Sequence, residues 1–265
     1  MVVSILGCGW YGKALAISLI EKGFIVKGSS TSADKLKQLS KEDIIPYSVQ
    51  FDADHENFDA RFFKCDVLVI CIPPKFRKGE TAGYLPKVKR IINAILQYQI
   101  TKVIYISSTS VYGDHNSEVN ESDDPQPDTE SGAILLEAEK LFQNETAFKT
   151  TIIRFGGLVG PDRDPGRFFA GKKDILNGMA PVNLIHLQDC IGISSAIIEK
   201  DAFGYLFNAC SPDHPQKEDF YRQAALKAGL PAPEFIHELK DWKVVGSIYL
   251  EEVLDYGFKV VLSEI

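Results

Sequence analysis

An α/β architecture, a doubly wound parallel sheet carrying a smaller C-terminal α/β lobe, is predicted by three observations. Short apolar runs alternate with amphipathic stretches as far as residue 160. A glycine-rich turn, Gly7-Cys8-Gly9-Trp10-Tyr11-Gly12, joins the first run to the first amphipathic stretch. Beyond Gly160, Gly and Pro become dense. Such alternation builds a parallel sheet through right-handed crossovers.

The first strand is expected over 2–6, where Val2-Val3-Ser4-Ile5-Leu6 is almost wholly apolar, and the glycine turn opens a helix over 11–22. A strand over 24–28 leads through capping Ser and Thr into a helix over 33–39, and a third strand covers 44–50. The apolar run 67–72 ends at Pro73-Pro74, and a helix follows over 83–98. The fifth strand, 102–107, precedes a helix over 131–142 whose stripe is Ile134, Leu135, Ala138 and Phe142, and the sixth covers 150–155. Further on, an extended stretch at 183–187 precedes a helix over 189–199, and a strand over 205–208 precedes a helix over 218–228. We expect a nucleotide-binding portion over 1–160 and a smaller lobe over 161–265, interleaved as one unit over the sheet's carboxyl edge, where open α/β sheets bind ligands.

Composition excludes several classes. With 45% hydrophobic and 25% charged residues, the 265-residue chain is globular. A net charge of -7 opposes nucleic-acid binding, which needs clustered Lys and Arg. Seven acids lie between Asp114 and Glu130, so the remainder is near neutral and this segment reads as a solvated loop. The five cysteines are scattered, without a Cys-x-x-Cys pair, as reduced thiols are in a cytoplasmic protein. No apolar run is long enough to span a membrane, and the five histidines lack metal-ligand spacing, so neither membrane nor metal is expected.

The turn Gly7-Cys8-Gly9-Trp10-Tyr11-Gly12 carries a G-x-G-x-x-G between strand and helix, the Rossmann arrangement for a dinucleotide. Gly7 permits the tight turn, Gly9 lets backbone approach a diphosphate, and Gly12 allows close packing. The amides of Trp10 and Tyr11 then face the phosphates at the positive end of the helix. About 20 residues on, where an NAD-selective site carries an acid, the chain has Ser29, Ser30, Thr31 and Lys35, which favour the 2′-phosphate of NADP(H) over NAD(H). Asp34 argues the other way. Pro73 is either a rigid wall beneath a ribose or a strand terminator.

Three segments together carry a resemblance: Tyr105-Ile106-Ser107-Ser108-Thr109-Ser110-Val111-Tyr112-Gly113, Arg154-Phe155-Gly156-Gly157-Leu158-Val159-Gly160-Pro161, and Asn183-Leu184-Ile185-His186-Leu187-Gln188-Asp189. With the glycine turn they make the chain similar, over nearly its whole length, to the extended short-chain dehydrogenase/reductase superfamily, and within it to the NAD-dependent epimerase/dehydratase branch. The resemblance implies a Ser that bonds the substrate oxygen, a Tyr that exchanges its proton, and a Lys four residues later. Ser108 matches the Ser position, but Ser131 and Leu135 stand where the Tyr and Lys belong. The Tyr98 and Lys102 spacing falls at the wrong end of a strand. Losing a positioned acid/base costs on the order of 10²–10⁴-fold. Tyr112 is the surrogate nearest in sequence; Glu130, Asp114 and His115 are others.

The resemblance further implies that Ser107 touches cofactor, that Thr109 lines the substrate cleft, and that Arg163 and Arg167 approach an anionic portion of the substrate. His186 and Asp189 are expected to hold the lobe, with Asp189 capping its helix. A homodimer through the helices over 83–98 and 131–142 is implied as well. Two functions fit: an NADP(H)-linked oxidoreductase or epimerase acting on a sugar-like or nucleotide-linked small molecule with a degenerate site, or a non-catalytic NADP(H) sensor.

Overall fold

A computed structural model describes residues 1–74 and 83–265. Strand β1 (Val2–Leu6), helix α1 (Trp10–Glu21), strand β2 (Ile25–Ser30), helix α2 (Ala33–Ser40) and strand β3 (Ile45–Phe51) come first. Strands β4 (Glu56–Phe58) and β5 (Val67–Ile70), helix α3 (Tyr84–Gln97) and strand β6 (Lys102–Ser108) follow. Next are strand β7 (Ser117–Val119), helix α4 (Glu130–Gln143), and strands β8 (Lys149–Phe155), β9 (Gly157–Val159) and β10 (Leu184–His186). Helix α5 (Leu187–Glu199), strand β11 (Leu206–Ala209), helix α6 (Lys217–Lys227), strand β12 (Lys243–Val245) and helix α7 (Tyr249–Glu252) complete the order.

Eight strands form one sheet in the order β11-β8-β6-β5-β1-β2-β3-β4, parallel throughout except for antiparallel β4. Strand β5 is buried along its whole length, as a central strand covered on both faces must be. One face carries Leu15 and Leu19 of α1 with Ile193 and Ile197 of α5. The other carries Val88, Ile91 and Ile95 of α3 with Leu135, Ala138 and Phe142 of α4. Both α5 and β11 come from beyond residue 160 yet join this main layer, so the two portions of the chain interleave. The doubly wound sheet expected from the sequence is therefore present.

Differences from expectation have local causes. Strand β2 continues to Ser30 because Ser29 and Ser30 pair with Tyr47 and Ser48 of β3, and Ser29 also accepts from Cys8 N at 2.8 Å and Gly7 N at 2.9 Å. Strands β4, β7, β9 and β12 have three residues each, too few to show a period. The acidic segment is not merely solvated: β7 pairs with β12, and Glu121 accepts from Asn208 N and Ile248 N at 2.8 Å and from the Ser247 hydroxyl at 2.6 Å.

Asp189 is not the cap of α5. The helix begins two residues earlier, and the His186 ring accepts from Gln188 N at 3.2 Å. Asp189 is buried and holds the C-terminal segment, accepting from the Tyr256 hydroxyl at 2.9 Å, Lys259 N at 2.7 Å and Val260 N at 3.2 Å. Asp189→Ala is expected to cost about 2–4 kcal/mol, since bonds to a charged acceptor are lost and buried donors orphaned. Hydrogen exchange should rise first at residues 256–260; uniform protection there in the variant would contradict this anchoring role.

Candidate functional site

The carboxyl ends of β1, β5, β6 and β8 open onto one cleft, and the glycine turn forms its floor. Gly7 has φ +99°, a left-handed conformation that favours glycine. A Cβ on Gly12 would lie 2.6 Å from the Gly7 carbonyl oxygen, so this glycine lets α1 pack on the loop. At Gly9 a Cβ would meet nothing within 4 Å. That space lies beside the amino end of α1, as an approaching diphosphate requires.

Two cavities meet over this floor and share Gly7, Gly9, Cys71 and Pro73. One, of about 420 Å³, is lined by Ser29, Ser30, Thr31 and Lys35, with Asp52 and Lys87 also on its wall. Asp34 is absent from that lining and sits 3.6 Å from Lys37 on the exposed side of α2. The hydroxyl of Ser29 is occupied by Gly7 N and that of Ser30 accepts from Ser32 N at 3.1 Å, so Thr31 and Lys35 are the more available groups. The other cavity, of about 320 Å³, is lined by Trp10, Tyr11, Gly12, Ser107, Ser108, Leu135 and Arg163 among others. The glycine floor and the two confluent cavities have room and polar groups that fit an extended dinucleotide.

Ser108 is half-buried on the cleft, its oxygen accepting from Ser110 N at 3.1 Å. That bond fixes the hydroxyl at the head of the turn 109–111. Leu135 lies in the cavity wall and packs into the core, extending the apolar stripe of α4. Ser131 is on the first turn of α4, with its hydroxyl 3.2 Å from Thr129 Oγ1, and is not among the residues lining this cavity.

Tyr112 is withdrawn from the cleft, which corrects its place among the candidate proton donors. Its hydroxyl accepts from Arg154 at 2.6 Å and faces the Asn120 carbonyl at 2.9 Å and Asn208 Oδ1 at 3.2 Å. Burial pushes its pKa up although Arg154 opposes this, so the phenol is a poor acid near neutrality. None of the other surrogates lines this cavity: Asp114 pairs with Lys243 at 2.7 Å, His115 bonds the Gln126 carbonyl at 3.0 Å, and Glu130 is exposed. Thr109 is buried in its turn and Arg167 is exposed in the turn 165–167; neither lines the cavity. Tyr11 does line it, but its hydroxyl lies 2.5 Å from Ser194 and burial pushes its pKa up.

A buried polar row behind the cleft escaped the sequence reading. Ser107, Arg154 and Asn208 stand in register on β6, β8 and β11. From α4, Glu139 reaches this row: its carboxylate accepts from Ser107 at 2.5 Å and from Arg154 Nε and Nη2 at 3.1 and 2.6 Å. Glu139 is 0% exposed and Arg154 3%. Burial works to lower the pKa of Arg154, but its bonds to Glu139 outweigh this, and the guanidinium stays charged. The consequence reaches the cleft. With its O–H donated in a hydrogen bond to Glu139, Ser107 presents lone pairs to whatever lies beside it, while the Ser108 hydroxyl can still donate. The signal was available in Glu139, an acid on the apolar side of α4, and Arg154, a cation between Ile153 and Phe155 in a buried strand.

Comparison with known proteins agrees with this architecture. The model of the family described as "NAD dependent epimerase/dehydratase family" matches residues 3–190. The chain is 37% identical over 245 residues to Protein YeeZ of Escherichia coli (strain K12), covering 91% of this chain and 89% of that one. Among solved structures, it resembles a UDP-glucuronic acid 4-epimerase from Bacillus cereus, in complex with UDP-glucuronic acid and NAD. There the TM-score is 0.80 at 19% identity, covering 100% of this chain and 96% of that chain. A functionally unknown conserved protein from Silicibacter pomeroyi DSS superimposes with TM-score 0.79 at 22% identity, covering 98% and 94%.

Proposed function

The chain belongs to the NAD dependent epimerase/dehydratase family, and from that premise we propose that it is an NADP(H)-linked oxidoreductase or epimerase acting on a sugar-like or nucleotide-linked substrate. The observation that carries this reading is the pair of confluent cavities, with Thr31 and Lys35 at one end and Ser107 and Ser108 at the other. A bound nicotinamide would supply the hydride chemistry. The protein supplies the rest: the glycine turn holds the diphosphate, Lys35 and Thr31 meet the 2′-phosphate, and Ser108 donates a hydrogen bond to the substrate oxygen. Sugar-nucleotide ligands in solved structures of the same fold support the substrate class.

Among the described residues lining the second cavity, no Asp, Glu, His or Lys is present, and Leu135 stands where the resemblance would place a lysine. Turnover is therefore expected to be slow. The alternative of a non-catalytic NADP(H) sensor draws on the same wall: Leu135 replaces a cation and Tyr112 is committed elsewhere.

Titration separates the cofactor claim from the catalytic one. NADPH is expected to bind about tenfold or more tightly than NADH, as losing one charge-assisted contact implies, and Lys35→Ala should erase most of that margin. Equal affinities in the native protein would remove the NADP(H) preference. Once a substrate is found among nucleotide sugars, Ser108→Ala should lower kcat roughly 10²-fold while leaving NADPH affinity unchanged. Failure of the whole nucleotide-sugar series to turn over would favour the sensor.

A further inference from the structure

We propose that Arg163 is a clamp for the diphosphate of the bound dinucleotide, delivered across the cleft from the second lobe; this rests on the cofactor reading above. The family resemblance implies a place for Arg163 near the substrate, but the geometry points elsewhere. Its guanidinium carbon stands 4.4 Å from the centre of the Trp10 ring. Trp10 is the first residue of α1 and directly follows Gly9, where the space for an approaching anion lies. The indole is itself fixed, because its Nε1 donates to the Pro161 carbonyl at 2.6 Å. Arg163 is aimed by a tight turn in which its amide donates to the Gly160 carbonyl at 2.9 Å and Asp162 takes φ +63°.

Electrostatics make the assignment specific. Arg163 is the one charged side chain among the described residues lining the cavity that holds Trp10 and Gly12. A guanidinium held over an indole keeps N–H groups free for an anion, and its planar fork matches two phosphate oxygens. There the guanidinium would add to the amides at the head of α1, since the Gly9 amide is already engaged by the Gly7 carbonyl at 2.8 Å. Trp10 thus serves as the platform that holds the arginine ready, and the second lobe contributes to cofactor affinity before any substrate arrives.

The test uses the native protein and Arg163→Ala, each titrated with NADPH, NADH, ADP-ribose and adenosine 2′-phosphate. Because the chain has two tryptophans, a Trp242→Phe background makes Trp10 the sole indole reporter. Arg163→Ala should weaken ADP-ribose and the tighter dinucleotide alike, by about 10- to 100-fold. Adenosine 2′-phosphate, which lacks the diphosphate, should bind within twofold of native, and Trp10 emission should respond to ADP-ribose only when Arg163 is present. The clamp is overturned if the variant binds ADP-ribose as the native protein does, or if adenosine 2′-phosphate loses as much affinity as ADP-ribose. A loss confined to dinucleotides also overturns it, because the arginine would then serve the nicotinamide end. Should the native protein bind none of these probes, the cofactor reading fails and takes the clamp with it. Native binding with an indifferent variant removes the clamp alone.

Discussion

Replacing either member of the buried Glu139 and Arg154 pair is expected to destabilise the protein by about 3–5 kcal/mol, because the partner left behind is a desolvated, uncompensated charge. For a chain of this length that is on the order of 10 °C in Tm. Glu139→Met strands the guanidinium and frees the Ser107 proton; Arg154→Met strands the carboxylate and removes a donor from Tyr112. The double variant, with both charges gone and similar volume retained, should recover at least half of the loss, since well-packed apolar replacements of buried pairs are often neutral. Thermal or urea unfolding of the three proteins decides the matter. Single variants as stable as the native protein would mean that the pair contributes nothing net to the fold.

The second large effect concerns two glycines with opposite demands. A methyl at Gly12 would press on backbone, 2.6 Å from the Gly7 carbonyl oxygen, so α1 must move off the loop. Gly12→Ala is expected to cost about 1–3 kcal/mol in stability, as overpacking does. It should also weaken dinucleotide binding roughly 100-fold through displacement of the phosphate floor. Gly9 behaves differently, having φ -82° and ψ -153° with nothing near its missing Cβ. Gly9→Ala should therefore unfold like the native protein yet lose affinity for NADPH, because the methyl occupies the anion's place. A Gly9→Ala variant that binds NADPH normally would falsify the assignment of that space.

The contrast between those glycines shows what sequence alone could reveal. Spacing told that three glycines join the first strand to the first helix through a tight turn, since strand, turn and helix are local and each carries its own period. The main strands and helices were legible for the same reason. Ser108 and Leu135 were legible through resemblance, which places residues on elements without saying which way they face. Orientation is where the reading failed. Tyr112 looked like a candidate donor until its hydroxyl was found between Arg154, Asn120 and Asn208, residues 42, 8 and 96 positions away. Glu139 and Arg154 were visible as charges inside apolar patterns, but only the register of β6 with β8 brings Ser107 to the same pair. Asp189 was assigned to the wrong task because its donors lie in a segment some 70 residues on.

That Glu121 grips Ser247 and Ile248, while β11 closes the edge of β8, bears on how the polypeptide is made. A nascent chain emerging amino end first has an uncovered strand edge and a carboxylate without its amides until those late residues leave the ribosome. Synthesis halted before Ser247 should therefore yield a sticky, chaperone-dependent product rather than a smaller working protein.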